Sequence, residues 1–142
     1  MPELLQFLLS GITVGAVYAL VALGFTIIYN ASDVVNFAQG EFVMLGGMIT
    51  VFAHAAGMPL PLAALIAVIA TAGVGVALNK LAIEPARGAP VVSLIIITIG
   101  ASIFIRGAAQ LVFDKQIHRF PAFSGDQPIA IGGATILPQS LW

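Results

Sequence analysis

Between Glu41 and Lys80 the chain runs for 38 residues without an Asp, Glu, Lys or Arg. A second such stretch separates Glu3 from Asp33. A helix needs about 20 apolar residues to cross the hydrocarbon core of a bilayer, so both stretches are long enough to enter one. Composition points the same way. Of 142 residues, 60% are hydrophobic and 8% charged, against about 45–50% and about 25% in a soluble domain. Such a chain has too few polar side chains to cover a water-facing surface, and it reads as an integral membrane protein in contact with lipid.

Other classes fall away quickly. A net charge of −1 leaves no basic footprint for nucleic acid. The absence of cysteine removes disulfides, thiolate metal sites and cysteine nucleophiles. His54 and His118 are too few and too far apart to suggest a metal site. No nucleophile–base pair, paired catalytic carboxylates or cofactor signature is present, so the sequence reads as a non-enzyme without a cofactor. The phosphate-loop pattern is also missing, and any ATP-driven function must use a motor on another subunit. The amino terminus does not read as a signal peptide: Glu3 stands where a basic region belongs, and the apolar run from Leu4 to Ala31 is too long.

Four spans can be drawn, at about 4–29, 36–56, 60–78 and 91–113. The expectation is an all-α, polytopic transmembrane bundle, because a lone strand cannot satisfy its backbone groups in lipid. The second span is anomalous. Phe42 to Ala56 gives 15 uncharged residues, about 22 Å of helix against a core of about 30 Å. It reaches full length only if Asn36–Glu41 also enters the membrane, and polar groups persist there only when buried in protein or facing water.

Lys and Arg favour cytoplasmic loops. Lys80 and Arg87 therefore place the loop Asn79–Pro90 inside, with Glu84 beside them as a possible contact for a peripheral partner or as a plain solvated turn. The amino terminus, the Gly57–Pro61 turn and the segment after Asp114 then lie outside, although Lys115 and Arg119 narrow the margin. The tail 114–142 reads as a partly irregular periplasmic loop. Gly132-Gly133 between Ile129–Ile131 and Thr135–Leu137 suggests a short β-hairpin. Pro138–Trp142 reads as the lead-in to a further span, so a longer protein, with its carboxyl-terminal half beyond this chain, is expected.

Asp33, Asn36, Gln39, Gly40 and Glu41 concentrate polarity between apolar runs. If Asn36 onward is helical, then Asn36, Gly40, Val43 and Gly47 share one face, suited to lining a translocation path or to close helix contact. The alternative is that Asp33 and Asn36 cap the helix while Glu41 snorkels, yet a carboxylate at that depth needs a partner or water. Arg106, well inside the fourth span, either snorkels to the outer interface or pairs with an acid inside the bundle. Gly11 with Gly15, and Gly73 with Ala77, have the small-residue spacing that lets helices pack closely.

The stretches Gly15–Tyr29 and Val35-Asn-Phe-Ala-Gln-Gly-Glu-Phe-Val-Met-Leu-Gly-Gly47, with Ile83-Glu-Pro-Ala-Arg87 and Ile97-Thr-Ile-Gly-Ala-Ser102, resemble the LivH-type permease of branched-chain amino acid ABC transporters. The resemblance covers essentially the whole chain. Family members often carry His where this chain has Gln39, and the amide retains hydrogen bonding without a titratable group.

The resemblance implies a bacterial inner-membrane, multi-pass subunit that pairs with a second homologous permease and docks two cytoplasmic ATPase subunits. It also implies a periplasmic substrate-binding protein that delivers leucine, isoleucine or valine, and an ATPase-coupling loop in the carboxyl-terminal part of the family. Asn36, Gln39 and Glu41 are then expected to form or brace the inner end of the path, with Gly40 and Gly47 beside them. Two other readings stay open: a permease for urea or another small polar solute, and a small channel or structural bundle without an ATPase.

Overall fold

A computed structural model describes residues 2–113, 125 and 127–142 of the chain. Helix α1 spans Pro2–Ser32, α2 Gln39–Ala55, α3 Leu60–Leu78 and α4 Val91–Phe113. A two-stranded sheet, β1 Ile129–Ile131 and β2 Ala134–Ile136, and a 3-10 turn at Pro138–Leu141 follow. Among the described residues, three helical stretches are long and apolar enough to cross a membrane: Pro2–Ser32, Leu60–Ala86 and Val91–Phe113. Lys115, His118 and Arg119 lie outside the described residues, and with them part of the charge argument for orientation.

The helix ends have local causes. Helix α1 closes where Asp33 takes a left-handed φ of 55°, a conformation that Asp tolerates better than most residues, and its N–H reaches the Tyr29 carbonyl at 2.8 Å. Helix α2 closes in a Schellman motif. Gly57 takes φ 96°, its N–H donates to His54 O at 3.0 Å, and the Met58 N–H donates to Ala53 O at 3.2 Å. Pro59 and Pro61 then start α3, where a missing N–H costs nothing.

Two expected boundaries move. The second helix starts at Gln39 rather than Asn36, because 36–38 form a turn of their own. The third does not stop at Asn79-Lys80: a π-helical turn, Asn79–Ile83, and a 3-10 turn, Glu84–Ala86, carry it on to Ala86. Lys80 and Glu84 therefore project from a helical extension, with Arg87 just past it, and all three are exposed. Only Arg87–Pro90 turns back toward α4, using Gly88 at φ 92°.

The chain divides into two compact units. In the larger, which takes in the described residues from Gly24 to Phe113, α2 packs on both α3 and α4. Its core joins Ala38 and Leu45 to Ile105 and Ala109, with Phe42, Met44, Val74, Leu78 and Phe113 against them. Phe52 and Phe113 meet at 5.1 Å between ring centroids. Small side chains set the closeness of α2 and α3: Ala63 and Ala67 are buried on α3, and a Cβ at Gly46 would touch Thr71 Oγ1 at 3.8 Å. That is the small-residue packing membrane helices use when lipid removes the hydrophobic drive to associate.

In the smaller unit the hairpin register pairs Ile129 with Ile136 and Ile131 with Ala134, so β2 begins one residue before the expected Thr135. Gly132 and Gly133 take φ 56° and 88°, positive at both central positions as a type I′ turn requires. The Gln6 side chain acts like an added strand residue: its Nε2 donates to Thr135 O at 3.0 Å and its Oε1 accepts the Thr135 N–H at 2.7 Å. Replacing Gly133 by Ala should loosen the hairpin. The left-handed φ costs about 1–2 kcal/mol for a residue with a Cβ, and that Cβ would stand 3.1 Å from Pro2 Cβ. Faster amide exchange at Ala134 and Thr135 checks it.

Candidate functional site

The break between α1 and α2 is held from outside by one side chain. Thr98 of α4 is fully buried. Its hydroxyl donates to the Ile95 carbonyl at 2.8 Å with Val35 O at 3.4 Å in reach, and it accepts the Phe37 N–H at 3.3 Å. Asn36 completes the turn from within, its Oδ1 accepting the Ala38 N–H at 3.0 Å, the Asx pattern that lets this residue type stand in for a backbone turn. Buried backbone groups outside a helix need such partners, and residues 35–38 find them in Thr98 and Asn36.

One helical turn further along α4, Ser102 Oγ donates to Glu41 Oε1 at 2.8 Å, and one turn beyond that Arg106 Nη2 donates to the same oxygen at 2.6 Å. Glu41 is thus neither free nor snorkelling. Its carboxylate is buried in the first turn of α2, where the helix dipole favours a negative charge, and it faces a cation. The pair is lopsided, with the Arg106 side chain 61% exposed and that of Glu41 only 7%. Thr98, Ser102 and Arg106 repeat every four residues, which places them on one stripe of α4.

The anticipated cluster divides into three. Glu41 is tied to α4. Asn36 and Gln39 line two adjoining clefts of about 490 and 400 Å3, which share Ile28, Phe42, Ala72 and Gly75. Gly40 and Gly47 are exposed, and a Cβ on either would meet nothing within 4 Å. Asn36 does not continue their face, because the helix has not yet begun there. Gly24 matters instead: a Cβ there would stand 2.9 Å from Gln39 Nε2, so the amide lies against bare backbone. Gln39 Oε1 and Thr71 Oγ1 are buried without a hydrogen-bond partner among the described residues, a condition that costs about 1–3 kcal/mol per group if nothing fills it.

Comparison with known proteins gives this arrangement its context. The profile of the family described as branched-chain amino acid transport system / permease component matches residues 7–138. The chain belongs to this permease family. Among its relatives, the high-affinity branched-chain amino acid transport system permease protein BraD of Pseudomonas aeruginosa is 35% identical over 133 residues, covering 85% of this chain and 43% of the relative. The LivH permease proteins of Salmonella typhimurium and Escherichia coli are 32% and 31% identical over 132 residues, again with 87% of this chain and 43% of theirs covered. The chain therefore spans less than half the length of these relatives. No solved structure matches it.

The permease family resemblance was carried by stretches far apart in sequence, and two of them meet in space. The Val35–Gly47 stretch supplies Phe37 and Glu41, and the Ile97–Ser102 stretch supplies Thr98 and Ser102. Neither Thr98 nor Ser102 stood out among the residues alone, although their spacing from Arg106 was a readable signal. Gly24 entered only as one residue of the Gly15–Tyr29 stretch, and Thr71 gave no signal.

Proposed function

We propose that the full-length permease is a transmembrane subunit of an ATP-binding-cassette importer for leucine, isoleucine and valine, multi-pass in the bacterial inner membrane. ATP hydrolysis falls to two cytoplasmic ATPase subunits, a second homologous permease completes the path, and a periplasmic binding protein delivers the solute. In this reading the exposed Lys80–Arg87 turn faces the cytoplasm and the Gly57–Pro61 turn the periplasm.

The observation that carries the reading is the non-helical break at residues 33–38, pinned by Thr98 and opening onto adjoining clefts along α3. Irregular backbone persists at membrane depth where it is buried in protein or lines a water-filled passage. Asn36 and Gln39 serve as lining, while Glu41 braces the break through α4. Alternating access needs contacts that differ between the two states, and a segment tied by a few hydrogen bonds can change them at small cost.

Uptake of labelled leucine into vesicles carrying the assembled importer tests this. ATP-dependent uptake, competed by isoleucine and valine, is the expected result. Uptake of urea but not leucine would move the chain to the other solute branch, and flux without ATP would make it a channel. Asn36→Ala should lower leucine uptake about tenfold, the weight of roughly one hydrogen bond, and undiminished uptake would remove Asn36 from the path.

A further inference from the structure

The first turns of α1 carry their polar side chains on one stripe. Gln6, Ser10 and Thr13 stand at i, i+4 and i+7, a spacing that gathers them on a single helix face. The tail runs along that face. A cleft of about 280 Å3 between the two is lined by all three residues and, from the tail, by Thr135 and Ser140. The Gln6 amide pairs with the Thr135 backbone. The hairpin turn rests beside Leu5 and Pro2, which a Cβ on Gly132 or Gly133 would approach to 3.2 and 3.1 Å. What the tail exposes is mainly apolar. Ile129, Ile131, Leu137, Leu141 and Trp142 are 42–85% exposed, and no charged residue occurs between Gln127 and Trp142. A contiguous exposed apolar surface marks a protein or membrane contact rather than a water-washed loop. Beside it, Leu4, Phe7, Leu8 and Ile12 of α1 are exposed as well, on a helix long and apolar enough to cross a bilayer. The apolar surface of that helix thus continues onto the tail.

We infer that the hairpin and the 3-10 turn after it lie in the membrane interface, at the boundary of headgroups and acyl chains in the leaflet at the amino-terminal end of α1. The tail is then a lipid-facing cover over the polar stripe of α1, not a loop in water. Its depth follows from its attachment, because the Gln6 amide and the glycine turn fix it to the end of a spanning helix. The sheet itself decides against the dry centre of the bilayer. On its outer side β2 has Gln6, whereas β1 is a free edge with no further strand among the described residues. Open sheet edges do not occur in the hydrocarbon region, but at its boundary water and lipid carbonyls reach them. Trp142 suits the same level, since Trp is enriched where membrane meets water. The inference is independent of which solute the permease carries.

The test uses the full-length permease in phosphatidylcholine nanodiscs. This chain has no cysteine, so a single one can be introduced as Ile131→Cys or Leu137→Cys once any cysteine elsewhere in the protein is replaced. A nitroxide on each is read by its collisions with oxygen, which concentrates in lipid, and with a nickel chelate, which stays in water. Both labels should collide more with oxygen than with the chelate, at a depth of about 5–10 Å. Arg87→Cys, on the exposed turn before α4, should show the opposite preference and serves as the water reference. Collisions dominated by the chelate at either tail position would place the tail in water. Weak collisions with both reagents would show that protein covers it. Either result overturns the inference and leaves the importer reading standing.

Discussion

Replacing Arg106 with glutamine in the full-length permease should reduce the amount of assembled protein in the membrane several-fold. The loss follows from the partner left behind. Glu41 is buried between α2 and α4, and once Arg106 is neutral its carboxylate keeps only the Ser102 hydroxyl. A lone charge among apolar groups is costly whether the surroundings are protein or lipid, and modest losses of stability become several-fold losses of abundance in cells. Glu41→Gln should be milder, because Arg106 is largely exposed and can reach elsewhere. The pair Glu41→Gln with Arg106→Gln should recover most of the loss, since two amides can hydrogen-bond where one charge could not. Quantitative immunoblots of membranes from the three strains measure it, and equal losses in the double and single variants would show that the charges do not act as a pair.

The second large effect is expected at Thr98. Thr98→Val preserves shape and volume but takes away the acceptor of the Phe37 N–H and a donor within reach of Val35 O. Each buried backbone group left unpaired costs about 1–3 kcal/mol. For a protein of a few hundred residues that lowers Tm by about 2–10 °C. Thr98→Ser retains the hydroxyl and should lose far less. Thermal unfolding of the detergent-solubilised permease reads the difference, and proteolysis at residues 33–38 should speed up in Thr98→Val alone. Identical melting of Thr98→Val and wild type would mean that the break is held by the Asn36 turn without help from α4.

These two predictions mark the limits of what the residues showed. Long charge-free runs separated by Gly, Pro and Asn announce helices in a bilayer, because lipid leaves the backbone few alternatives. The hairpin was legible for a similar reason, two glycines being what a tight turn between short apolar strands demands. Glu41 was also legible as a residue in need of a partner, since a carboxylate beside an apolar run cannot stand alone.

Which partner it takes was not legible. Snorkelling and pairing are both open to an arginine within a span, and only the approach of α4 to the start of α2 decides for pairing. The extension of α3 through Asn79–Ile83 was hidden because Asn-Lys after an apolar run reads as a loop, whereas a π turn absorbs it without ending the helix. Thr71 and Gly24 were invisible for a plainer reason: a threonine or glycine in an apolar helix takes its meaning from the neighbour across the gap.

The brevity of α2 has a consequence for the membrane itself. Its 17 residues rise about 25 Å, against a hydrocarbon core of about 30 Å. A helix shorter than the core is met either by thinning of the bilayer around it or by cover from its neighbours. Residues 33–38 hold only two polar side chains, Asp33 and Asn36, and the Thr98 hydroxyl and the Asn36 amide supply backbone partners that a longer helix would have given. The missing turn of α2 is thus replaced by side chains of the bundle, and the lipid beside it has no bare backbone to hide.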